Sequence, residues 1–181
     1  MIKRLSYKQH LTDAMNDISM MDNSIFIGQG VKDGGHGISP TLEGVDNRKK
    51  IELPVFEELQ TGLALGLAMD NNFVVSIYPR FDFFILSLNQ LVNHVDKLPE
   101  MSNKEFLPNI IFRVAVGAKK PLDAGPQHTQ NHTSALKMML DWVKIIELSK
   151  GSNPRVEYQK ALKQRGTFVM VEHYDLYGVD V

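Results

Sequence analysis

The 181-residue sequence contains no cysteine. That absence excludes a disulfide framework, a thiolate nucleophile and a cysteine-bound zinc. It also lacks charge of one sign, because 20 lysines and arginines against 21 acids leave a net charge of −1. A binder that tracks nucleic-acid phosphates shows a basic excess, so this balance speaks against one. Long hydrophobic runs are missing too. The longest, around Leu59–Met69, falls short of the ~20 apolar residues that span a bilayer. The opening Met-Ile-Lys-Arg-Leu-Ser-Tyr-Lys has no signal-peptide apolar core. The expectation is a cytoplasmic protein with no membrane contact. What is present is a hydrophobic content of 43% with 23% charged residues, enough for a packed core. The length suits a single domain over residues 1–181.

Apolar spacing predicts a helix from Tyr7 to about Met20, with Leu11, Met15 and Ile18 on one face. Ser24–Ile27 reads as a short buried strand. A loop follows over residues 28–50, in which Gly28, Gly30, Gly34, Gly35, Gly37, Pro40 and Gly44 mark sharp turns or close approach to a ligand. A second helix is expected from Glu57, apolar nearly all round and therefore buried, with a bare stripe at Gly62 and Gly66 where another helix could pack. Further strands are expected at Phe73–Ile77, Asn109–Val116, Trp142–Leu148 and Thr167–Glu172. Helices are expected at about Asp82–Lys97, Thr133–Leu140 and Pro154–Arg165, and a loop with Gly117, Pro121, Gly125 and Pro126 precedes the second of these. Continuous apolar strands alternating with helices define an α/β fold: a three-layer sandwich around a mostly parallel central sheet.

Several catalytic signatures are missing: GxGxxG opening a helix, GxxxxGK[ST], HExxH and GxSxG. His128 and His132, four apart, suggest a shared metal only weakly, since they sit in a Pro/Gly-led loop with no third ligand nearby. Three segments carry more. In Leu53-Pro54-Val55-Phe56-Glu57-Glu58, Glu58 reads as an ordinary partner of the helix dipole, while Glu57 lies at the mouth of a helix that must be buried. Phe81-Asp82-Phe83-Phe84 follows a strand at the end where parallel sheets bind ligands, although core packing accounts for most such phenylalanines. Gly125-Pro126-Gln127-His128-Thr129-Gln130 is a polar loop after the next strand.

Taken in this order, these segments resemble the pyrimidine-binding domain of thiamine-diphosphate enzymes of the transketolase superfamily. The likeness is greatest to the beta subunit of the 2-oxo-acid dehydrogenase decarboxylating component. It runs through Pro54–Gly62, Asn89-Gln90-Leu91-Val92-Asn93-His94, Gly125–Gln130 and Val171–Gly178, and so covers about Ser6 to Gly178. The resemblance implies that Glu57 is the glutamate facing ring nitrogen N1′ of the aminopyrimidine, where a carboxyl in a dry pocket shares a proton with the ring and helps to make a carbon nucleophile. It implies further that Phe83 stacks on that ring and that His128 faces the substrate. The catalytic candidates are thus Glu57 and His128, and the cofactor-binding candidates Glu57, Phe83, Leu86 and Gln29.

Departures qualify the likeness. Gln29 and Gly30 stand where the dehydrogenase pattern has two acids, Leu86 where some relatives have glutamine, and Leu59 where the pattern has glycine. The family's second domain is not seen beyond Gly178, and no Gly-Asp-Gly motif for the diphosphate is present. The resemblance therefore implies one subunit of a split enzyme that cleaves or forms the bond next to the carbonyl of a 2-oxo acid or ketose. An alpha-type partner would hold the diphosphate and its magnesium in a hetero-oligomer, within which this chain could form a homodimer. Two alternatives stand beside it: a non-catalytic regulatory subunit that keeps the fold, and a small-molecule-binding domain unrelated to thiamine.

Overall fold

In the computed structural model, which describes residues 5–120 and 122–181, strand residues alternate between two buried faces. On β3 (Phe73–Tyr78) Phe73, Val75 and Ile77 enter one core, and Val74 and Tyr78 the other. On β4 (Ile110–Val116) Ile111 and Ala115 face the first core, and Ile110, Phe112 and Val114 the second. Burial on both faces is why these segments read as continuous apolar runs rather than alternating ones. The readings that fall on residues 1–4 and Pro121 lie outside the described residues.

The described strands form one six-stranded, wholly parallel sheet in the order β2-β1-β3-β4-β6-β5. Besides β3 and β4 these are β1 (Ser24–Gly28), β2 (Lys50–Glu52), β5 (Lys144–Glu147) and β6 (Thr167–His173). One face is covered by α1 (Tyr7–Ser19) and α5 (Pro154–Leu162), through Leu11, Met15, Ile18, Tyr158 and Ala161. The other is covered by α2 (Glu57–Met69), α3 (Phe81–Phe84) with the helical turns that continue it to Val95, and α4 (Thr133–Met139). Ser6 caps α1 by accepting from the Gln9 amide at 3.2 Å, and Asn153 caps α5 at 3.2 Å from Val156, with Pro154 in the first turn. The expected three-layer α/β sandwich is therefore present, and all of its strands run parallel.

Three features differ from expectation. β2 is a three-residue edge strand, too short to leave a periodic signal. The predicted Asp82–Lys97 helix changes pitch along its length, passing from α through 3₁₀ and back to α, then ending as a π turn at Leu91–Val95. Its end is held by buried Asp96, which accepts backbone N–H groups of Trp142 and Val143 at 2.8 and 2.9 Å and the Lys97 ammonium at 3.0 Å. Finally, α2 is not buried on every side. Gln60, Thr61, Ala64 and Ala68 face the sheet, whereas Leu59 and Met69 are 48% and 46% exposed and nothing lies near Gly66.

A buried ion pair joins β4 to β6. Arg113 and Glu172, both fully buried, meet at 2.9 Å, and Arg113 Nη1 donates to Thr41 Oγ1 at 2.7 Å. The guanidinium thus ties the glycine-rich 28–50 loop to the sheet. A lone arginine in an apolar strand, with its partner 59 residues away, gave no sequence sign of this. Among the described residues no helix is long and apolar enough to cross a membrane.

Candidate functional site

β1 leads outward to the edge strand β2, whereas β3 leads toward β4. Chain direction diverges between β1 and β3, and in open parallel sheets that crevice, at the carboxyl ends of the strands, is where ligands bind. The residues emerging there are Gln29 after β1, Pro79, Arg80 and Phe83 after β3, and Glu57 at the first turn of α2. With Tyr78 they line a recess of about 100 Å³.

The position of Glu57 is set by polar contacts that fasten the start of α2 to β3. Gln60 Nε2 donates to Ser76 Oγ at 3.0 Å and to the Ile77 carbonyl at 2.9 Å. The Glu57 carbonyl accepts from Ser87 Oγ at 2.8 Å, from Thr61 Oγ1 at 3.1 Å and from the Tyr78 hydroxyl at 3.4 Å. Burial pushes the Tyr78 phenol up to about 12, so it stays protonated near neutrality. Gly28, at φ +146°, lets β1 come this close, because a Cβ there would sit 2.5 Å from the Ile77 carbonyl oxygen. The Glu57 side chain is 5% exposed, and one carboxylate oxygen accepts from Gln29 Nε2 at 3.4 Å.

Gln29 is itself positioned. The His36 ring nitrogen Nε2 lies 2.6 Å from the Gln29 carbonyl oxygen, and burial lowers the basicity of this imidazole, so the neutral ring donates from Nε2. The Glu52 carboxylate accepts the backbone N–H groups of Gly30 and Lys32. Phe83, 41% exposed, lines the recess, and the His128 ring stands nearly perpendicular to it with centroids 5.5 Å apart. The His128 loop is anchored by the buried Asp82 carboxylate, which accepts the Gln130 N–H at 3.1 Å, and by Glu147, which accepts from the Asn131 amide at 2.7 Å.

Four of the predicted site residues are thus brought together: Glu57, Gln29, Phe83 and His128. The fifth, Leu86, is 59% exposed and lies outside the recess lining. His128 and His132 do not form a pair: His132 packs against Phe81 at 5.4 Å, and α4 begins only after both. Among the described residues no three acids or histidines gather to hold a metal ion. Glu58, read as a partner of the helix dipole, lies in the first turn of α2 and also accepts the Asn89 amide at 3.0 Å. Tyr78, His36 and Arg80 escaped the sequence reading. Only Arg80, next to an aromatic cluster at a strand end, carried a local signal.

No protein-family model matches the chain. The fold is the transketolase-like one: the structure superposes on a chain described as a split gene transketolase, inactive beta4 tetramer, with a TM-score of 0.70 at 12% identity, over 98% of this chain and 53% of the other. In sequence it is similar to pyruvate dehydrogenase E1 beta subunits, 25% identical over 179 residues to that of Rickettsia conorii, which covers 97% of this chain and 54% of the relative. The mitochondrial E1 beta subunits of Saccharomyces cerevisiae and Mus musculus are 25% and 26% identical, again over 97% of this chain and over 48% and 49% of the relatives. The chain spans about half the length of the curated relatives it matches.

Proposed function

We propose that this chain is the pyrimidine-binding subunit of a thiamine-diphosphate enzyme acting at the carbonyl of a 2-oxo acid or ketose. The observation that carries the reading is Glu57: a buried carboxylate at a strand-end crevice, bordered by an exposed aromatic ring, in a chain similar to E1 beta subunits. The recess suits an aminopyrimidine. Phe83 offers a flat apolar surface, and the 3.4 Å contact from Gln29 leaves Glu57 with capacity to bind a ring nitrogen.

When bound, thiamine diphosphate supplies a carbon nucleophile for the substrate carbonyl. Glu57 would hold a proton at N1′, and its burial keeps that proton from exchanging freely with water. Gln29 orients the carboxylate through its amide. Phe83 supports the ring and packs at right angles against the imidazole of His128, which can exchange a proton with substrate. The likeness to E1 beta subunits assigns the diphosphate and magnesium to an alpha-type partner subunit, and the exposed apolar side of α2 is the surface assigned to that partner.

The test is co-expression with a diphosphate-binding subunit, followed by thiamine-diphosphate titration and 2-oxo-acid turnover. Cofactor binding and turnover by the pair support the proposal, and absence of both refutes it. The substitution of Gln29 for an acid favours the alternative of a non-catalytic subunit. Full activity with Glu57→Ala in the pair would establish that alternative.

A further inference from the structure

We propose that Arg80 is the recognition site for an anionic group of the substrate, a carboxylate or phosphate that it holds beside Phe83 and His128. The place of the reacting carbonyl rests on the thiamine reading above. The anion site itself rests on Arg80 alone.

Arg80 follows Pro79 at the carboxyl end of β3 and precedes α3 in an extended conformation (φ −135°, ψ 124°). It lines the same recess as Glu57, Gln29 and Phe83. Its guanidinium is backed by an aromatic ring, the central carbon lying 5.2 Å from the Tyr174 centroid. That ring is fastened to the neighbouring residue, since the Tyr174 hydroxyl donates to the Pro79 carbonyl at 3.0 Å. On another side the guanidinium rests near bare backbone: a Cβ built on Gly117 would lie 3.3 Å from Arg80 Nη1. The side chain is only partly exposed and is held in place, yet it has no ionic partner. Arg48, Arg113 and Arg155 each meet a carboxylate, whereas no carboxylate lies within 4.0 Å of Arg80 among the described residues.

An oriented guanidinium with free N–H donors matches the paired oxygens of a carboxylate or phosphate better than any other ligand chemistry. Its place at the mouth of the recess sets that anion next to the group under attack. Carboxylate and phosphate share this chemistry, and the cofactor's own diphosphate shares it too, so the test separates the three.

The full 181-residue chain, isotopically labelled, is titrated at neutral pH and constant ionic strength with pyruvate, inorganic phosphate, thiamine diphosphate and the uncharged methyl pyruvate. Nuclear magnetic resonance follows the Arg80 side chain, Phe83 and His128. Saturable shifts are expected with pyruvate or phosphate and none with methyl pyruvate. Arg80→Met should weaken binding about tenfold or more, Arg80→Lys should restore part of it, and Arg165→Met, at the opposite end of the sheet, should change nothing. In the assembled pair, Arg80→Met should raise KM for the anionic substrate while kcat and cofactor affinity change little.

No saturable shift with pyruvate or phosphate, equal effects of the Arg80 and Arg165 variants, or Arg80 shifts that thiamine diphosphate causes and neither anion does would overturn the proposal. Anion binding that survives while the pair shows no cofactor binding would refute the thiamine reading and leave the anion site standing.

Discussion

Glu57 shows how much of this site one residue carries and how little of its setting a sequence displays. Its place in the Pro54–Gly62 segment was legible, because a carboxylate at the mouth of a helix this apolar is marked for burial. The contacts that aim it were not: Tyr78 and Ser87 reach its carbonyl from 21 and 30 residues away. Glu57→Gln preserves size and hydrogen bonding but removes the proton exchange. The variant should fold with an unchanged melting transition, while turnover of the assembled enzyme falls by about 10²–10⁴. Circular dichroism and steady-state kinetics check the two halves. Gly117 sets a second test. A Cβ there would overlap the His128 carbonyl oxygen. Gly117→Ala should therefore displace the 125–130 loop and destabilise the chain by about 1–3 kcal/mol. Loss of the His128–Phe83 ring-current shift, alongside a lowered thermal midpoint, would report it.

At the scale of elements, periodicity located the longer helices and nearly every strand, because burial on two faces writes itself into continuous apolar runs, while the four-residue helix at Leu98–Met101 left no such signal. It failed where structure depends on partners distant in sequence. The helical run after Phe81 loses α pitch at Ile85–Ser87 and closes as a π turn at Leu91–Val95, beside a carboxylate that serves the β5 approach. Burial alone would raise the pKa of Asp96, but the N–H groups of Val143 and Trp142 and the Lys97 ammonium outweigh it and hold the carboxyl below its ordinary range. A depressed folded pKa adds stability above the unfolded value of ~3.9 and loses it as pH falls through the folded value. Asp96→Asn should thus cost about 1–3 kcal/mol at neutral pH, with the difference from the parent shrinking below about pH 4. Urea unfolding at neutral and acid pH measures both.

For the whole molecule, the informative error is the expectation that α2 would be buried all round. An apolar helix reports that its surface is to be covered, without saying by which chain. Here Gln60, Thr61, Ala64 and Ala68 meet the sheet, while Val55, Phe56, Leu59 and Met69 are left 77%, 54%, 48% and 46% exposed. Val55 and Phe56 lie just before Glu57 and Leu59 in the first turn of the helix that begins with it, at the end that carries the recess, while Met69 closes the same helix at its far end. Under the proposed function that side docks the diphosphate-binding subunit, so the same helix would build the site and close it. Apolar patches of this kind are where protein interfaces form. Leu59→Arg puts a charge at the middle of the patch without touching the core. The variant should keep the parent's unfolding transition, yet in mixtures with the partner subunit it should migrate as unassembled chain on gel filtration and show no 2-oxo-acid turnover. Wild-type-like assembly by Leu59→Arg would move the interface off α2 and leave its exposed leucine unexplained.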